Sequence, residues 1–236
     1  MVKETKEYPC EKCPGGDLNY ITSLDKADRL YLNNQKIVSL YKKGEDIFHE
    51  GNKATGLYCL VEGKVKVYRQ GSDGREHIIR FALPGEFIGL KALITGNNHT
   101  SSAAAQEDSV VCFINNNDFL QLMIKYPEFT RNLIVSLSHI LEEAEKKMTS
   151  LAQKPVRERL AETLVFLNKS FNIDPSDPAR SYLNLSRNDL ANIIGTVPET
   201  VIRLLSEFKD EKLILIKGRK IFLRNPQELK RIARLS

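Results

Sequence analysis

The chain has 236 residues, of which 42% are hydrophobic and 28% are charged, the balance of a folded protein with one large or two ordinary domains. No apolar run approaches the roughly 18–20 residues that span a bilayer, so we expect no membrane association. No apolar signal segment opens the chain, and four cysteines are too few for a disulfide scaffold in a chain of this size, so we expect a cytoplasmic protein. The net charge of +5 is unevenly distributed, since residues 154–236 hold 16 Lys and Arg against 10 Asp and Glu, a net charge of +6. This excess indicates an anionic partner such as nucleic acid. The alternative is a basic surface that is merely solvated.

The first part of the chain is predicted to be a leader followed by helix. Residues 1–22 contain Cys10-Glu-Lys-Cys13 and Pro14-Gly15-Gly16, which favour irregular structure. Apolar residues in Ser23–Leu40 follow a roughly helical spacing, and we predict one or two short helices there.

A glycine-punctuated region from Tyr41 to about Asn117 is predicted to be all β. Short runs with period-two alternation lie between the glycines, and Ser72-Asp73-Gly74 is a hairpin turn signal. The clearest runs are Leu57–Val61, Lys64–Tyr68, His77–Leu83 and Ser109–Ile114. Many short strands at this spacing predict a β-sandwich or barrel.

A long helix is predicted next. Asp118–Ile124 has a helical period, and Pro127 suits the first turn of a new helix. Apolar residues then recur in steps of three and four, at Leu133, Leu137, Ile140, Leu141, Ala144, Met148 and Leu151. A helix of roughly 25 residues with such a stripe favours a homodimer interface over residues 127–153. The alternative is a helix that packs only on its own domain.

Residues 154–236 are predicted to form a winged helix–turn–helix. After Pro155 come a helix over Val156–Lys169 and a loop over Asn172–Arg180. Ser186 and Asp189 form a capping-box variant, a helix over Arg187–Ile194 follows, and Gly195 supplies the turn before a second helix that begins near Val197. The basic hairpin that follows, Lys212–Lys217 and Lys220–Arg224, is the predicted wing.

The second helix of this pair carries the predicted base contacts. Glu199 can accept a hydrogen bond from cytosine N4, and Arg203, one turn later, can donate to guanine O6 and N7. The alternative is a helix-stabilising Glu199–Arg203 ion pair. The predicted DNA-binding residues are Ser186, Arg187, Thr196, Pro198, Glu199, Thr200, Arg203, Lys217 and Arg219.

Over nearly its whole length the chain resembles transcription regulators of the Crp/Fnr family. The resemblance rests on Gly85-Glu-Phe-Ile-Gly89, on Ser101–Ser109, and above all on Leu190-Ala-x-x-x-Gly195-x-x-x-Glu199-Thr200-x-x-Arg203. It implies an α+β protein: a cyclic-nucleotide-binding-like β-roll (a double-stranded β-helix or jelly roll) over residues 23–126, the dimerisation helix, and a winged helix–turn–helix. The implied function is non-enzymatic: a homodimer reads palindromic double-stranded DNA under control of an effector, with RNA polymerase as a candidate further partner.

The predicted effector pocket departs from that of the cyclic-AMP binders in the family. Their Glu and Arg, which hold the ribose hydroxyl and the cyclic phosphate, are missing here: Leu90 follows Gly89, and no Arg lies near His99-Thr100 or Ser101-Ser102. We therefore expect cyclic AMP to bind poorly, and the sequence does not identify the effector. The predicted pocket residues are Phe87, Ile88, Gly89, Leu90, His99, Thr100 and Ser101.

The cysteines raise a second family theme, since some members hold an iron–sulfur cluster. Cys10, Cys13 and Cys112 fall near the family's ligand positions, but Asn19 stands where a further leader cysteine is expected. We favour Cys112 and Cys59 as buried strand residues, an incidental Cys10/Cys13 pair, and no iron–sulfur cluster. A cluster, zinc or redox role for the first three cysteines is the alternative.

Two other function classes compete with a DNA-binding regulator. One is a cyclic-nucleotide-binding or redox- and metal-sensing signalling module without a DNA role, against which the Glu199/Arg203 helix argues. The other is a cupin-like metalloenzyme using His49, Glu50, His77 and His99. These histidines are scattered and form no His-x-His pair, so the sequence gives this class little support.

Overall fold

The computed structural model describes residues 8–10, 13–14, 23–72, 74–171 and 181–235. Asn19, Asp73, the loop predicted over 172–180 and most of the predicted leader lie outside the described residues. Contacts divide the chain into two compact units. One contains Met1–Gly74 and Ile78–Glu142, and the other contains Arg75–His77 and Glu143–Ser236.

The helices and strands, in chain order, are α1 (Lys26–Gln35), β1 (Ile37–Tyr41), β2 (Asp46–Phe48), β3 (Gly56–Glu62), β4 (Val65–Gln70), β5 (Glu76–Ala82), β6 (Phe87–Ile88), α2 (Leu90–Thr95), β7 (Ser102–Ala105), β8 (Ser109–Asn115), α3 (Asn116–Lys125), α4 (Pro127–Gln153), α5 (Val156–Ser170), β9 (Leu183–Asn184), α6 (Arg187–Ile194), α7 (Pro198–Asp210), β10 (Ile214–Lys217), β11 (Lys220–Leu223) and α8 (Pro226–Ile232).

Two four-stranded sheets build the first unit, in the orders β1-β8-β3-β6 and β2-β7-β4-β5. Side chains of β3 alternate between two hydrophobic cores. Leu60 packs with residues of β2, β4 and β7 between the sheets, whereas Leu57, Cys59 and Val61 pack in a second core with residues of α1, α3 and α4. The predicted β-roll and α+β class are confirmed.

One sequence prediction was wrong over part of its range. Ser23–Leu40 is not helical throughout: α1 ends at Gln35, and β1 begins at Ile37. The Asp25 side chain caps α1 by accepting from the backbone N–H of Asp28. The β-branched pair Ile37 and Val38 instead joins a ladder with β8 and lies opposite Phe113 and Cys112.

Helix α4 has 27 residues and begins at Pro127, as the sequence predicts. Phe129 and Leu133, near its start, are buried. Three apolar residues spaced seven apart remain exposed on the single chain, namely Ile134 at 60%, Leu141 at 60% and Met148 at 67%. Leu141 and Met148 of the predicted stripe are therefore not covered by the chain's own core, and Ile134, which the sequence analysis did not include, adds to this exposed strip.

The second unit combines helices α5 to α8 with the three-stranded sheet β10-β11-β9. The predicted capping box is present: Asp189 N–H donates to Ser186 Oγ at 3.0 Å, and Ser186 N–H donates to the Asp189 carboxylate at 3.1 Å. Gly195 ends α6 with a φ of +68°, as its role in the turn requires. The capping box and Gly195 therefore set where α6 begins and ends, so local sequence signals determine the helix–turn–helix.

Candidate functional site

Helix α7 is strongly amphipathic. Val201, Leu204, Leu205 and Phe208 face the core of the second unit, while Glu199, Ile202 and Arg203 are exposed. The remaining predicted contact residues near the turn, Thr196, Pro198 and Thr200, are half-buried. Sequence reasoning missed Ile202: an apolar side chain 55% exposed on this face can contact a thymine methyl group.

In the part of the chain that the structure describes, Glu199 and Arg203 do not form the ion pair that was the alternative to a base-reading role. Arg203 pairs with Glu207, one turn towards the C-terminus, and no ion pair of Glu199 is found among the described residues. Glu207 also accepts from Arg157 at 3.2 Å, and Arg157 Nη2 donates to both carboxylate oxygens of Glu211 at 2.7 and 2.8 Å. This network ties α7 to α5 and leaves the Glu199 carboxylate available.

The wing is a tight hairpin with a basic tip. Lys217 lies opposite Lys220 in the β10–β11 ladder, and Gly218, with a φ of +59°, and Arg219 form the exposed turn between them. Lys220 Nζ lies 4.1 Å from the centre of the Tyr182 ring. Lys217 and Arg219 are exposed at the tip of a hairpin that belongs to the three-stranded sheet β10-β11-β9.

Arg187 takes a different position from the other predicted DNA contacts. Its Nη2 donates to the carbonyl oxygen of Gly218 at 3.2 Å, which links the start of α6 to the wing turn. The guanidinium is partly buried, and this burial lowers its pKa. The bond gives Arg187 a role in holding the wing.

The predicted effector residues differ in their surroundings. Phe87 and Leu90 pack in one hydrophobic core and Ile88 in the other. His99 is buried and stacks on Phe48, with ring centres 3.9 Å apart, and a Cβ on Gly89 would lie 3.0 Å from its Cε1. Burial lowers the pKa of His99, which disfavours the cation that an anionic ligand would need. Thr100 is exposed and Ser101 is half-buried.

All four cysteines line one cavity of about 390 Å³ in the first unit. Cys59 is buried, as expected, and it also lies close to the others: its Sγ is 3.7 Å from Cys13 Sγ, and it stands opposite Cys112 in the β3–β8 ladder. Lys36 is buried beside them, and its Nζ lies 3.3 Å from Cys10 Sγ. Sequence reasoning missed this convergence because Cys59 lies 46 residues from Cys13.

The thiols of this cavity differ in acidity. A hydrogen bond between the Cys13 and Cys59 side chains lowers the pKa of Cys13, and the nearby charge of Lys36 lowers it further. The same contact and full burial raise the pKa of Cys59, and burial raises that of Cys112 to about 12. Within the described part of the chain, no three His, Cys, Asp or Glu side chains are arranged to hold a metal ion. Iron–sulfur clusters are usually held by four cysteine thiolates, and four cysteines line this cavity.

None of the helices in the described residues is long and apolar enough to cross a membrane.

Comparisons with known proteins agree with this architecture. Residues 38–126 match the cyclic nucleotide-binding domain and residues 158–232 the Crp-like helix-turn-helix domain. The fumarate and nitrate reduction regulatory protein of Vibrio cholerae is 31% identical over 91% of this chain and 84% of its own length, and the transcriptional activator Anr of Pseudomonas protegens is 31% identical over 80% and 77%. The structure of FixK2 from Bradyrhizobium japonicum is 30% identical with a TM-score of 0.74, covering 84% of this chain and 96% of that one. The chain thus belongs to the Crp/Fnr family and is a transcription regulator of that type.

Proposed function

We propose that two copies of the chain, joined along α4, bind an inverted repeat in double-stranded DNA through α7, under control of an effector sensed by the β-roll. The main support for this proposal is the exposed face of α7, which presents Glu199, Ile202 and Arg203. This helix belongs to a helix–turn–helix with a capping box, in the basic part of the chain. The second helix of such a motif enters the major groove.

The dimer is supported by the apolar residues left exposed on α4. Ile134, Leu141 and Met148 repeat every seven residues, which is the spacing of one coiled-coil position. Exposed apolar strips of this kind are costly in water, and a second copy of the same helix can cover them. Two-fold symmetry then requires an inverted repeat with half-sites about one helical turn apart, ~10–10.5 base pairs.

Base recognition is assigned to one face of α7. Arg203 donates to guanine and Glu199 accepts from cytosine, which gives a G·C-containing half-site, with the TGA-like core that family resemblance suggests. Ile202 lies between them in sequence and suits a thymine methyl group. Thr196, Pro198 and Thr200 lie around the start of this helix, and Ser186 caps α6; we assign all four to contacts with the DNA backbone.

The wing contributes affinity rather than base recognition. Lys217 and Arg219 are exposed at its tip and reach phosphates, while Arg187 holds the turn through Gly218. The effector remains to be identified; Leu90 and the stacked His99 make cyclic AMP a poor fit. RNA polymerase is a further candidate partner, the cytoplasm is the expected location, and we expect no catalytic activity.

Selection from a random duplex pool tests the proposal. The wild-type protein should enrich an inverted repeat, and Arg203→Ala should enrich a motif with one relaxed base pair per half-site. The matched control is Lys209→Ala, an exposed cation at the other end of α7, which should leave the motif unchanged. If the wild type enriches no motif, or only a motif without two-fold symmetry, the proposal is wrong.

A further inference from the structure

The Glu207 carboxylate lies between two arginines of the second unit. One oxygen, Oε1, accepts from Arg203 Nη1 on the same helix, and the other, Oε2, accepts from Arg157 Nη1 on α5 at 3.2 Å. Guanidinium and carboxylate groups often pair through two parallel hydrogen bonds. Because Arg157 takes one oxygen, Arg203 is left with a single hydrogen bond to Glu207.

Arg157 is held more firmly than Arg203. Its Nη2 donates to both carboxylate oxygens of Glu211, and its guanidinium lies 4.8 Å from the centre of the buried Phe208 ring. The Arg157 side chain is 34% exposed, and that of Arg203 is 65% exposed. A planar guanidinium that stacks on an aromatic ring and binds two carboxylates keeps its position. Arg157 therefore stays with Glu207 when Arg203 turns towards another partner.

The shared carboxylate matters when DNA binds. To donate to guanine, Arg203 must leave Glu207, which lies one turn further along the same helix. With no other cation beside it, the Glu207 carboxylate would then be unpaired close to the DNA. An unpaired carboxylate beside phosphates and base acceptors weakens binding, because like charges repel and its hydrogen bonds are lost. Arg157 remains in place and continues to neutralise Glu207.

We propose that Arg157 is a positioning residue for base recognition: it holds one oxygen of Glu207, which weakens the competing Glu207–Arg203 pair and leaves Arg203 able to donate to guanine. Without Arg157, Glu207 is free to bind Arg203 through both oxygens. Arg157 lies on α5 and acts only through Glu207. This role rests on the base contact that is assigned to Arg203.

Binding measurements on the full chain test this role. Fluorescence anisotropy gives the dissociation constants for the selected duplex and for a duplex in which adenine replaces the guanine assigned to Arg203, and their ratio measures discrimination. Arg157→Gln should lower this ratio roughly two- to fivefold, the range of an exposed ion pair. The matched control is Arg231→Gln, which removes an exposed cation of the same unit that pairs with Glu228 and should leave the ratio unchanged.

A double variant separates positioning from a structural role. Arg157→Gln/Glu207→Gln should restore the ratio to that of Glu207→Gln alone, because no carboxylate remains to compete for Arg203. If Arg157 only ties α5 to α7 through Glu211 and Phe208, the double variant should discriminate no better than Arg157→Gln, and this result overturns the inference. A ratio that is unchanged in Arg157→Gln overturns it as well.

Arg203→Ala distinguishes the positioning role from the base contact on which it rests. If Arg203→Ala lowers the ratio while Arg157→Gln does not, Arg203 contacts guanine without help from Arg157, and only the positioning role is wrong. If Arg203→Ala leaves the ratio unchanged, the base contact is wrong and the positioning role falls with it. Urea unfolding shows whether each variant is folded. Should Arg157→Gln be unfolded, Arg157→Lys takes its place with the same loss and rescue expected, since lysine keeps the charge but loses the fork that binds both glutamates.

Discussion

The Arg203 guanidinium pairs with the Glu207 carboxylate on the next turn of α7. This pair lies on the exposed side of the helix, where it holds the Arg203 side chain along the helix surface before DNA arrives. Exposed ion pairs of this type contribute only about 0.3–0.5 kcal/mol. A guanine in reach therefore displaces the pair at little cost.

Arg203→Ala should weaken binding to the selected site by on the order of 1–3 kcal/mol and relax discrimination at one base pair. The reason is loss of a bidentate contact that other base pairs cannot offer. Fluorescence anisotropy with the selected duplex and single-base variants measures both effects. Equal losses on every duplex would show that Arg203 contacts phosphate instead.

Ile202→Ala should weaken binding to sites that carry thymine at one position and leave the corresponding cytosine sites nearly unchanged. The physical reason is the lost apolar contact with the thymine methyl group. Duplexes with uracil in place of thymine provide the matched control, since they lack only that methyl. A variant that discriminates thymine from uracil as well as the wild type does would remove Ile202 from the reading face.

Lys217→Ala and Arg219→Ala should weaken binding to all sequences alike. Each lost phosphate contact lowers the slope of log affinity against log salt by about 0.9. Titrations at several salt concentrations, on a specific and a scrambled duplex, give this slope directly. A changed motif with an unchanged slope would assign base reading to the wing.

Leu141→Asp should weaken both dimerisation and DNA binding, because it places a charge in the exposed apolar strip of α4. Thr149→Asp is the matched control, since it adds the same charge at another exposed position of α4. Leu137→Asp should also weaken dimerisation and DNA binding, but Leu137 packs against the second core, so that variant should lose fold stability as well. Light scattering at micromolar concentration gives the mass; a monomeric wild type contradicts the proposed interface.

The stability of the first unit should fall as the pH drops below about 6.5. Burial lowers the pKa of His99 from its ordinary value of 6.5, so the unfolded chain takes up a proton at a pH where folded His99 does not. The contribution is complete above pH 6.5 and is lost as the pH falls towards the lowered value. His99→Phe, which keeps the stack on Phe48, should reduce the loss of urea midpoint between pH 7.5 and 5.5.

Gly195→Ala should destabilise the second unit more than Gly218→Ala does. Both glycines have positive φ, at 68° and 59°, so both variants carry a similar backbone strain of about 1 kcal/mol. Only the Cβ at position 195 meets another atom, Leu151 Cδ2 at 3.2 Å. The melting temperature of Gly195→Ala should therefore be lower than that of Gly218→Ala. Equal melting temperatures would show that the Leu151 side chain moves aside without cost.

Local signals predicted the helix–turn–helix well because they are short in range. The Ser186–Asp189 capping box, Gly195 and the basic-ended hairpin pattern of the wing act within a few residues, and the observed elements follow them closely. Strands β2, β6, β7 and β9 were missed since they have only two to four residues, too few to show a period. β1 was misread as helix because its pairing with β8, some 70 residues away, overrides its local pattern.

The candidate sites depended more on tertiary packing. No sequence spacing relates Cys13 to Cys59, Arg187 to Gly218, or His99 to Phe48. Glu199 was placed correctly on the exposed side of α7, yet the partner of Arg203 could be either of two glutamates at four-residue spacing. Packing around Arg157 explains the choice, since it holds Glu207 from the other side.

The two-sided packing of β3 limits how this chain can change in length. Deleting or inserting one residue within β3 would move the side chains in the rest of that strand to the opposite face of the sheet. Leu60 would then point into the core that holds Cys59, or Cys59 into the core that holds Leu60. Such an indel alters both cores at once, whereas a point substitution alters only one. In a screen for folded protein, single-codon insertions should therefore be depleted across Gly56–Glu62 and tolerated at the exposed wing turn, Gly218-Arg219, even though the latter weaken DNA binding.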